Sequence, residues 1–510
     1  MKVFTKSEIN MLEKYSAEAG DSLFSLMEKA GGALALVSAK HGKNIVILCG
    51  KGNNGGDGFV AADRFTKMGI KTTVILAQRV IATDLANYAF DRIKNKVEIL
   101  SWKNEQRIKI ENAIKNADVV LDCVFGVGFK GEFDEEIEEL MILTNNSKAI
   151  KISADIPSGV HCDTGKVAQN TFKADYTVAF TAIKPANIIE PASSFCGKNI
   201  VATVVDKKIL ADFPASFSII EEISVISNFK KRDPQSHKGT YGTLLMICGS
   251  FGMLGAAVMA AKAALRSGVG LVNMVVSKEC YQVLATMLPE VVFTVMDFSD
   301  EERTSISSEK LFAAINKASS IVIGCGLAND CERYVPLVMK FASCPVVLDA
   351  DALNFLSKNT TLFEQAKAPL ILTPHPLEMG RLTGKTAVQI QLDRISVAKR
   401  FSAEYKVYLV LKGSGTVIAS PTSQVKMNTS GNAGMAKAGS GDVLAGMIGS
   451  LLAQGFKPFN ACESAVYIHS KVGDYCAEKL SQTAMLPTDI IENLPFYFKE
   501  IETKLPKDNL

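Results

Sequence analysis

Three loops in the first half of the chain carry oxygen-bearing side chains directly after apolar runs. Lys51-Gly52-Asn53-Asn54-Gly55-Gly56-Asp57 follows the run 44–49, Asp122 closes Val119-Val120-Leu121, and Asp155-Ile156-Pro157-Ser158 follows Ile152-Ser153-Ala154. Amide oxygens, carboxylates, hydroxyls and turn carbonyls are hard donors, the set that suits an s-block cation. A single aspartate in such a place is more often a turn former or a helix cap. Three such loops at successive strand ends point to a site, because ligands of open α/β sheets sit outside the carboxyl ends of the strands. Gly50, Gly52 and Gly55 also satisfy G-x-G-x-x-G. A redox dinucleotide site needs an acid for the ribose at the end of the next strand, about 20 residues on. Here that strand ends Ile75-Leu76-Ala77-Gln78, without one. A plain strand-to-helix turn that uses glycine to save space explains the glycines but not Asn53, Asn54 and Asp57. Asp57 is read either as a cap of the following helix or as part of the site. Asp155 is the candidate acid/base group.

A second constellation spans 428–447, where small residues run through Gly439-Ser440-Gly441-Asp442 into Val443, Leu444, Met447, Ile448 and Leu451 at helical spacing. A glycine-rich helix N-terminus offers free N–H groups and a positive dipole end to phosphate oxygens. An aspartate there can take the proton of a hydroxyl about to be phosphorylated; an isolated G-x-G-D is more often a plain N-cap. His375 lies between Pro374 and Pro376, in a rigid turn that suits a backbone hydrogen bond and a substrate contact equally.

The elements that must position these groups alternate. Residues 5–40 read as two helices. Apolar runs at 44–49, 72–77, 118–122, 149–153, 175–180 and 200–205 are separated by amphipathic stretches such as 58–69 and 81–95. That is the pattern of a parallel sheet covered on both faces. After a mixed stretch at 206–238 the alternation restarts, with strands expected at 242–248, 270–276, 320–324, 345–349, 369–373 and 406–411. Helices are expected at 253–267, 328–341, 441–454 and 458–479. The chain is therefore α/β throughout, with one three-layer domain over 1–215, a linker at 216–228 and a second three-layer domain of different fold over 229–510.

The chain has 510 residues, too many for one ordinary core, and is 47% hydrophobic and 21% charged. Its 56 basic and 53 acidic residues leave a net charge of +3, which argues against a nucleic-acid surface. The eleven cysteines form no C-x-x-C pair and read as free thiols of a reducing compartment. The N-terminus lacks a secretory h-region, and no run approaches the roughly 20 apolar residues of a membrane span. A cytoplasmic protein is expected.

LMEKAG (26–31), GNNGGDGFVAA (52–62), LDCVFGVG (121–128) and ADIPSG (154–159) resemble the signature blocks of NAD(P)H-hydrate epimerases. The resemblance covers most of 1–210. It implies a Rossmann-like fold for 1–215 that interconverts the R and S hydrates of NADH and NADPH, with K+ held by Asn54, Asp122 and Ser158. The hydrate would be held by Asn53, Asn54, Gly55, Gly56, Asp57, Gly126, Val127, Gly128, Phe129, Lys130, Gly131, Glu132 and Asp155.

HKGTYG (237–242), 248–272, IGCGLA (323–328), LDADALN (348–354), LTPHPLEMGRL (372–382) and LKGSGTVIA (411–419) resemble, in order, the ADP- or ATP-dependent NAD(P)H-hydrate dehydratases, which have ribokinase-like folds. This second resemblance covers nearly all of 229–490. It implies that Lys412, Gly413, Ser414, Gly415, Thr416 and Gly441 bind ADP or ATP, with Mg2+, and that Ala256, Gly326, His375 and Asp442 contact the hydrate. Asp442 would be the base, acting through a phosphorylated intermediate. Ser440 replaces the family's usual threonine, and Lys437 stands close enough to alter phosphate contacts. The two resemblances together imply a homo-oligomeric bifunctional repair enzyme whose partners are small molecules only. A ribokinase-like small-molecule kinase with a regulatory or scaffold N-terminal domain is the alternative, and the choice between ADP and ATP stays open.

Overall fold

The apolar runs of the first half become the strands of one parallel sheet: β1 (Asn44–Cys49), β2 (Lys71–Leu76), β3 (Glu98–Ser101), β4 (Val119–Cys123), β5 (Ile150–Ala154), β6 (Tyr176–Phe180) and β7 (Lys198–Ala202), in the order β3-β2-β1-β4-β5-β6-β7. The structure, a computed structural model, describes residues 1–78, 80–103 and 106–505. It divides into two compact units, Lys2–Phe217 and the chain from Ser218 onward, with Met1 counted in the second. The expected linker at 216–228 is itself structured. It holds a strand at Phe217–Ile219 and a helix at Glu222–Ile226, and Ile220 and Val225 are buried in the core of the second unit.

In the first unit, α1 (Lys6–Glu18) and α2 (Leu23–Ser38) precede β1, and α3 (Asn53–Lys67), α4 (Asp84–Asp91), α5 (Arg107–Lys115) and α6 (Glu135–Asn145) follow β1, β2, β3 and β4 in turn. The strand order reverses between β1 and β4, so a crevice opens at the carboxyl ends of these two strands. Their register sets Cys49 opposite Cys123 and Leu48 opposite Asp122, while Asp122 is opposite Ser153 of β5. The three polar loops therefore leave the sheet side by side.

The helix after β1 begins at Asn53, five residues earlier than its apolar pattern suggests. Glycine is a poor helix former, so Asn53-Asn54-Gly55-Gly56 reads as loop. Packing explains the glycines instead. A Cβ on Gly50 would lie 2.0 Å from the Val124 carbonyl oxygen, and one on Gly55 would lie 2.0 Å from that of Gly50. These glycines let strand, turn and helix meet backbone to backbone, and neither needs a positive φ.

The second unit repeats the principle with a different order. Strands β8 (Thr243–Ile247), β9 (Leu271–Ser277), β10 (Val292–Met296), β11 (Ser320–Ile323), β12 (Val346–Leu348), β13 (Leu370–Leu372), β14 (Tyr408–Leu411), β15 (Val417–Ala419) and β16 (Val425–Met427) run β16-β15-β14-β13-β12-β11-β8-β9-β10 across the sheet. All pair parallel except β14-β15-β16, which are antiparallel. The helices that matter to the site are α7 (Leu254–Arg266), α8 (Pro376–Thr383), α9 (Arg394–Tyr405), α10 (Ser440–Ala453) and α11 (Pro458–Leu480).

Helix α10 is buried along its whole length after the first turn, which explains why Ser450 is the one polar residue there. A Cβ on Gly446 would lie 2.0 Å from the Ala260 carbonyl oxygen of α7. Gly446→Ala is expected to force these helices apart and destabilise the second unit by about 1–3 kcal/mol, read as a lower denaturation midpoint. Among the described residues no helix is long and apolar enough to cross a membrane.

Candidate active sites

In the first unit Asp122 is fully buried at the end of β4. Its Oδ2 accepts from Ser158 N (2.8 Å), and its Oδ1 accepts from Ser158 Oγ (2.6 Å) and Val124 N (3.1 Å). Ser158 Oγ also accepts from Phe125 N (2.8 Å) and lies 3.3 Å from the Phe125 carbonyl oxygen. Burial pushes Asp122 up to about 6 despite these donors. Beside this knot Asn54 lies against Gly126, where an added Cβ would come 2.9 Å from Asn54 Oδ1. The Asn54 Nδ2 is buried and has no protein partner.

Asp155 stands at the end of β5 with φ +68°, a left-handed conformation that costs a non-glycine residue about 1–3 kcal/mol. The conformation is held from three directions. Asp155 N donates to Val178 O (2.8 Å), Phe180 N donates to Asp155 Oδ1 (3.0 Å), and the Lys184 ammonium makes a very short contact with the same Oδ1. Lys184 is fully buried and also donates to Phe180 O (2.6 Å).

Asp57 does not cap α3. The N-cap is Gly52, and Asp57 falls in the second helical turn. Burial, then the charges of Asp155 and Glu13, push Asp57 well above the usual carboxylate range. Burial and Asp155 likewise raise Glu13 of α1, against the opposing pull of Lys184.

The loop 126–132 divides. Gly126 faces Asn54, and Val127 packs against the small cluster around Ile156 and Val160. Phe129 is buried among Phe125 and Phe133, and Glu132 accepts from Gln169 N (3.1 Å). Gly128, Lys130 and Asn53 are exposed. Gln78 stands where a redox dinucleotide site would place its acid, and its Oε1 accepts from Lys51 N (3.0 Å). It pins the glycine turn instead of a ribose.

In the second unit the carboxyl ends of five neighbouring parallel strands deliver the site. β8, β11, β12, β13 and β14 end at Ile247, Ile323, Leu348, Leu372 and Leu411. Directly after them come Cys248, Gly324-Cys325-Gly326, Asp349, Thr373-Pro374-His375 and Lys412. Lys412 Nζ donates to Asp349 Oδ1 (2.7 Å), which also accepts from Thr373 Oγ1 (2.7 Å). A Cβ on Gly441 would lie 3.0 Å from Lys412 Nζ, so the ammonium points at the start of α10.

That helix is N-capped by Gly439 (φ +99°) without a side-chain bond, and the amides of Gly441 and Asp442 have no acceptor among the described residues. Asp442 is therefore not the cap. Burial and the charge of Asp349 push it up to about 6, against the pull of Cys325 and Lys412. Cys325, Asp349 and Asp442 bring their ligand-type atoms within 4.8 Å of one another, with Lys412 as the cation already seated on Asp349. Ala350, next to Asp349, is left-handed (φ +48°), so both sites carry a strained non-glycine residue at a strand end.

Gly326 packs against Ala256, 3.1 Å from its Cβ by the same measure, which brings these two together at the mouth of α7. His375 caps α8, its Nδ1 accepting from Leu377 N (3.1 Å) and Glu378 N (3.3 Å). Burial, then Lys412, lower its basicity. The segment Lys412-Gly413-Ser414-Gly415-Thr416 is the turn between β14 and β15. Arg394 of α9 holds it by donating to the carbonyls of Leu411 (2.8 Å), Lys412 (3.2 Å) and Gly415 (3.3 Å). Lys437 is turned away from α10, its ammonium donating to the carbonyls of Thr483 (2.7 Å) and Met485 (2.6 Å).

A relative from Moorella thermoacetica, a bifunctional NAD(P)H-hydrate repair enzyme, is 34% identical to this chain over 99% of it and 98% of the relative. The chain belongs to the bifunctional NAD(P)H-hydrate repair enzymes. An Escherichia coli member is 32% identical over 96% of the chain and 93% of its own length. Family models described as YjeF-related protein N-terminus and NAD(P)H-hydrate dehydratase match residues 18–186 and 244–496. The ADP/ATP-dependent NAD(P)H-hydrate dehydratase of Bacillus subtilis, crystallised with ATP/Mg2+, is 34% identical, with a TM-score of 0.50 over 56% of this chain and 99% of that one.

Several groups in this repair enzyme's sites escape sequence reasoning: Glu13, Lys184, Asp349, Arg394 and His469. His469 of α11 is buried with Nε2 3.5 Å from Ser440 Oγ, and burial with Lys412 depresses it to about 4. The available signal was a lone polar residue inside an apolar run. Lys184 follows Ala182-Ile183, and His469 follows Val466-Tyr467-Ile468.

Proposed function

We propose that the first unit interconverts the R and S hydrates of NADH and NADPH and that the second dehydrates the S hydrate, with ADP or ATP as the phosphoryl donor. The observation that carries this is the start of α10. Asp442 stands there beside two unsatisfied amides and the Lys412 ammonium, a base next to an anion cradle. Asp442 takes the proton of the ring hydroxyl as its oxygen attacks the terminal phosphorus. The ring nitrogen lone pair then expels phosphate, and loss of a proton from the adjacent carbon restores the dihydropyridine. Lys412, Gly413, Ser414, Gly415, Thr416 and Gly441 hold the nucleotide, whose Mg2+ neutralises phosphate charge when bound. Ala256, Gly326 and His375 face the hydrate.

In the first unit, protonation of the hydroxyl by an acid at Asp155 lets water leave as the ring nitrogen forms an iminium. Water returns to the opposite face and gives its proton back. The Asp155 carboxylate left by that proton transfer favours the cation. Asn54, Gly126, Val127 and Gly128 line the hydrate, with Asn53, Gly55, Gly56 and the loop through Glu132 shaping the pocket around it. The donor set fits K+: the Asp122 carboxylate, Ser158 hydroxyl and Phe125 carbonyl converge, and Asn54 offers its amide Oδ1 beside Gly126. When bound, the ion supplies fixed positive charge under the loops that contact the nucleotide. All eleven cysteines are free and buried, in keeping with a reducing compartment such as the cytoplasm.

The test is mixed R and S NADPH hydrates with ADP or ATP, following reduced-nicotinamide absorbance and phosphate release. Full conversion with one phosphate per NADPH is expected with at least one of the two donors. Replacing potassium by a large organic cation should slow the R form alone. A stable phosphorylated product without reduced nicotinamide would instead indicate a simple kinase, a reading the comparisons do not favour.

A further inference from the structure

We infer that Lys184 is a positioning residue of the epimerisation site: its charge anchors one oxygen of Asp155, so that only the other oxygen handles the substrate proton. The inference rests on the epimerase reading above and deepens it.

A lysine whose side chain is entirely out of water is costly unless paired. Lys184 is such a residue, and its position in the apolar run Ala182-Ile183-Lys184 does nothing for packing that a methionine could not do. Its ammonium meets Asp155 Oδ1 and donates to Phe180 O. Phe180 N donates to the same Oδ1, so two donors converge on one carboxylate oxygen while Oδ2 has no hydrogen bond among the described residues. The backbone repeats this restraint. Asp155 N is tied to Val178 O, Lys184 N donates to Asn187 Oδ1 (2.8 Å), and the left-handed φ of Asp155 is held against its own preference. A carboxylate fixed at one oxygen and free at the other is the arrangement general acid/base catalysis needs, since a freely rotating group would lose orientation.

Charge gives Lys184 a second task. The titratable groups coupled to this centre are Glu13 from α1, Asp57 from α3 and Cys162 with Asp163 from the 156–163 segment. These acids repel one another, and Lys184 is the cation among them, in contact with Asp155 Oδ1 and opposing the upward push on Glu13.

The experiment is a double-mutant cycle on R-to-S conversion in the full chain. Lys184→Met is expected to lower kcat at least tenfold and to change KM less than about threefold. Lys184→Gln, which keeps a donor for Phe180 O but no charge, should be equally slow, and Lys184→Arg should recover part of the rate. In an Asp155→Asn background, Lys184→Met should add less than a twofold loss, because the group it positions is already gone. Thermal melts check that each variant folds, and Lys184→Gln carries the cycle if Lys184→Met does not fold. A wild-type kcat in Lys184→Gln, or losses that multiply with Asp155→Asn, overturns the inference. If Asp155→Asn alone converts the R form normally, the epimerase reading itself fails, whatever Lys184 does.

Discussion

Asp442→Asn is expected to stop regeneration of reduced nicotinamide from both hydrates, because every route to product passes through the dehydration step. Loss of a positioned general base removes about 10²- to 10⁴-fold, and the neighbouring amides and Lys412 would still bind the donor. Turnover on pure S hydrate should fall with little change in nucleotide affinity. The wild-type rate should itself fall as pH drops through about 6, where Asp442 takes up its proton.

The same shift makes an opposite prediction for stability. Asp442 holds its proton more tightly in the folded protein than an ordinary aspartate, near 3.9, does in the unfolded chain. Keeping it ionised therefore opposes folding, and the penalty grows as pH rises from about 4 to about 6 and is complete above that. Asp442→Asn lacks the penalty. Its melting temperature should exceed wild type at neutral pH, and the gain should vanish below about pH 4. A dead enzyme that melts higher is the signature of a carboxylate kept for chemistry at the expense of stability. Parallel melts and initial rates across pH 4–8 check both parts.

Asp155 carries the second large effect. Asp155→Ala should slow conversion of pure R hydrate about 10²- to 10⁴-fold and leave the S hydrate at wild-type rate. It also strips Lys184 of its counter-charge, and breaking a buried pair this way costs about 3–5 kcal/mol. Asp155→Asn is the cleaner variant, since its amide oxygen can still accept from Phe180 N. Separate rates on resolved R and S hydrates, with a melt of each variant, distinguish lost chemistry from lost fold.

What could be read from the sequence follows from burial. Strands covered on both faces are apolar runs, so β1, β4, β8 and β11 are plain in the sequence. Strand β3 buries only Leu100 of its four residues and so carries no apolar run. The start of α3 is hidden because its glycines serve packing, against helix propensity.

Of the site, the groups at strand ends and the start of α10 are legible from local pattern. The cap at His375 is also local, since Glu378 three residues on completes a capping box. The pairs Asp155–Lys184 and Asp349–Lys412 are not, because 29 and 63 residues separate their members. Only the register of neighbouring strands joins them. Lys437 shows the converse error: nearness in sequence to the anion cradle suggests a phosphate contact, yet its ammonium is held by carbonyls 46 and 48 residues further along the chain.

The central claim is that two independent sites act in sequence on one damaged cofactor. It is tested most directly by giving pure R hydrate and ADP to Asp155→Asn alone, to Asp442→Asn alone, and to an equimolar mixture of the two, while following reduced-nicotinamide absorbance. The account predicts that Asp442→Asn alone forms none, that Asp155→Asn alone forms it only as fast as the hydrates interconvert unaided, and that the mixture restores rapid conversion. Rapid conversion by either variant alone, or no gain on mixing, would contradict it.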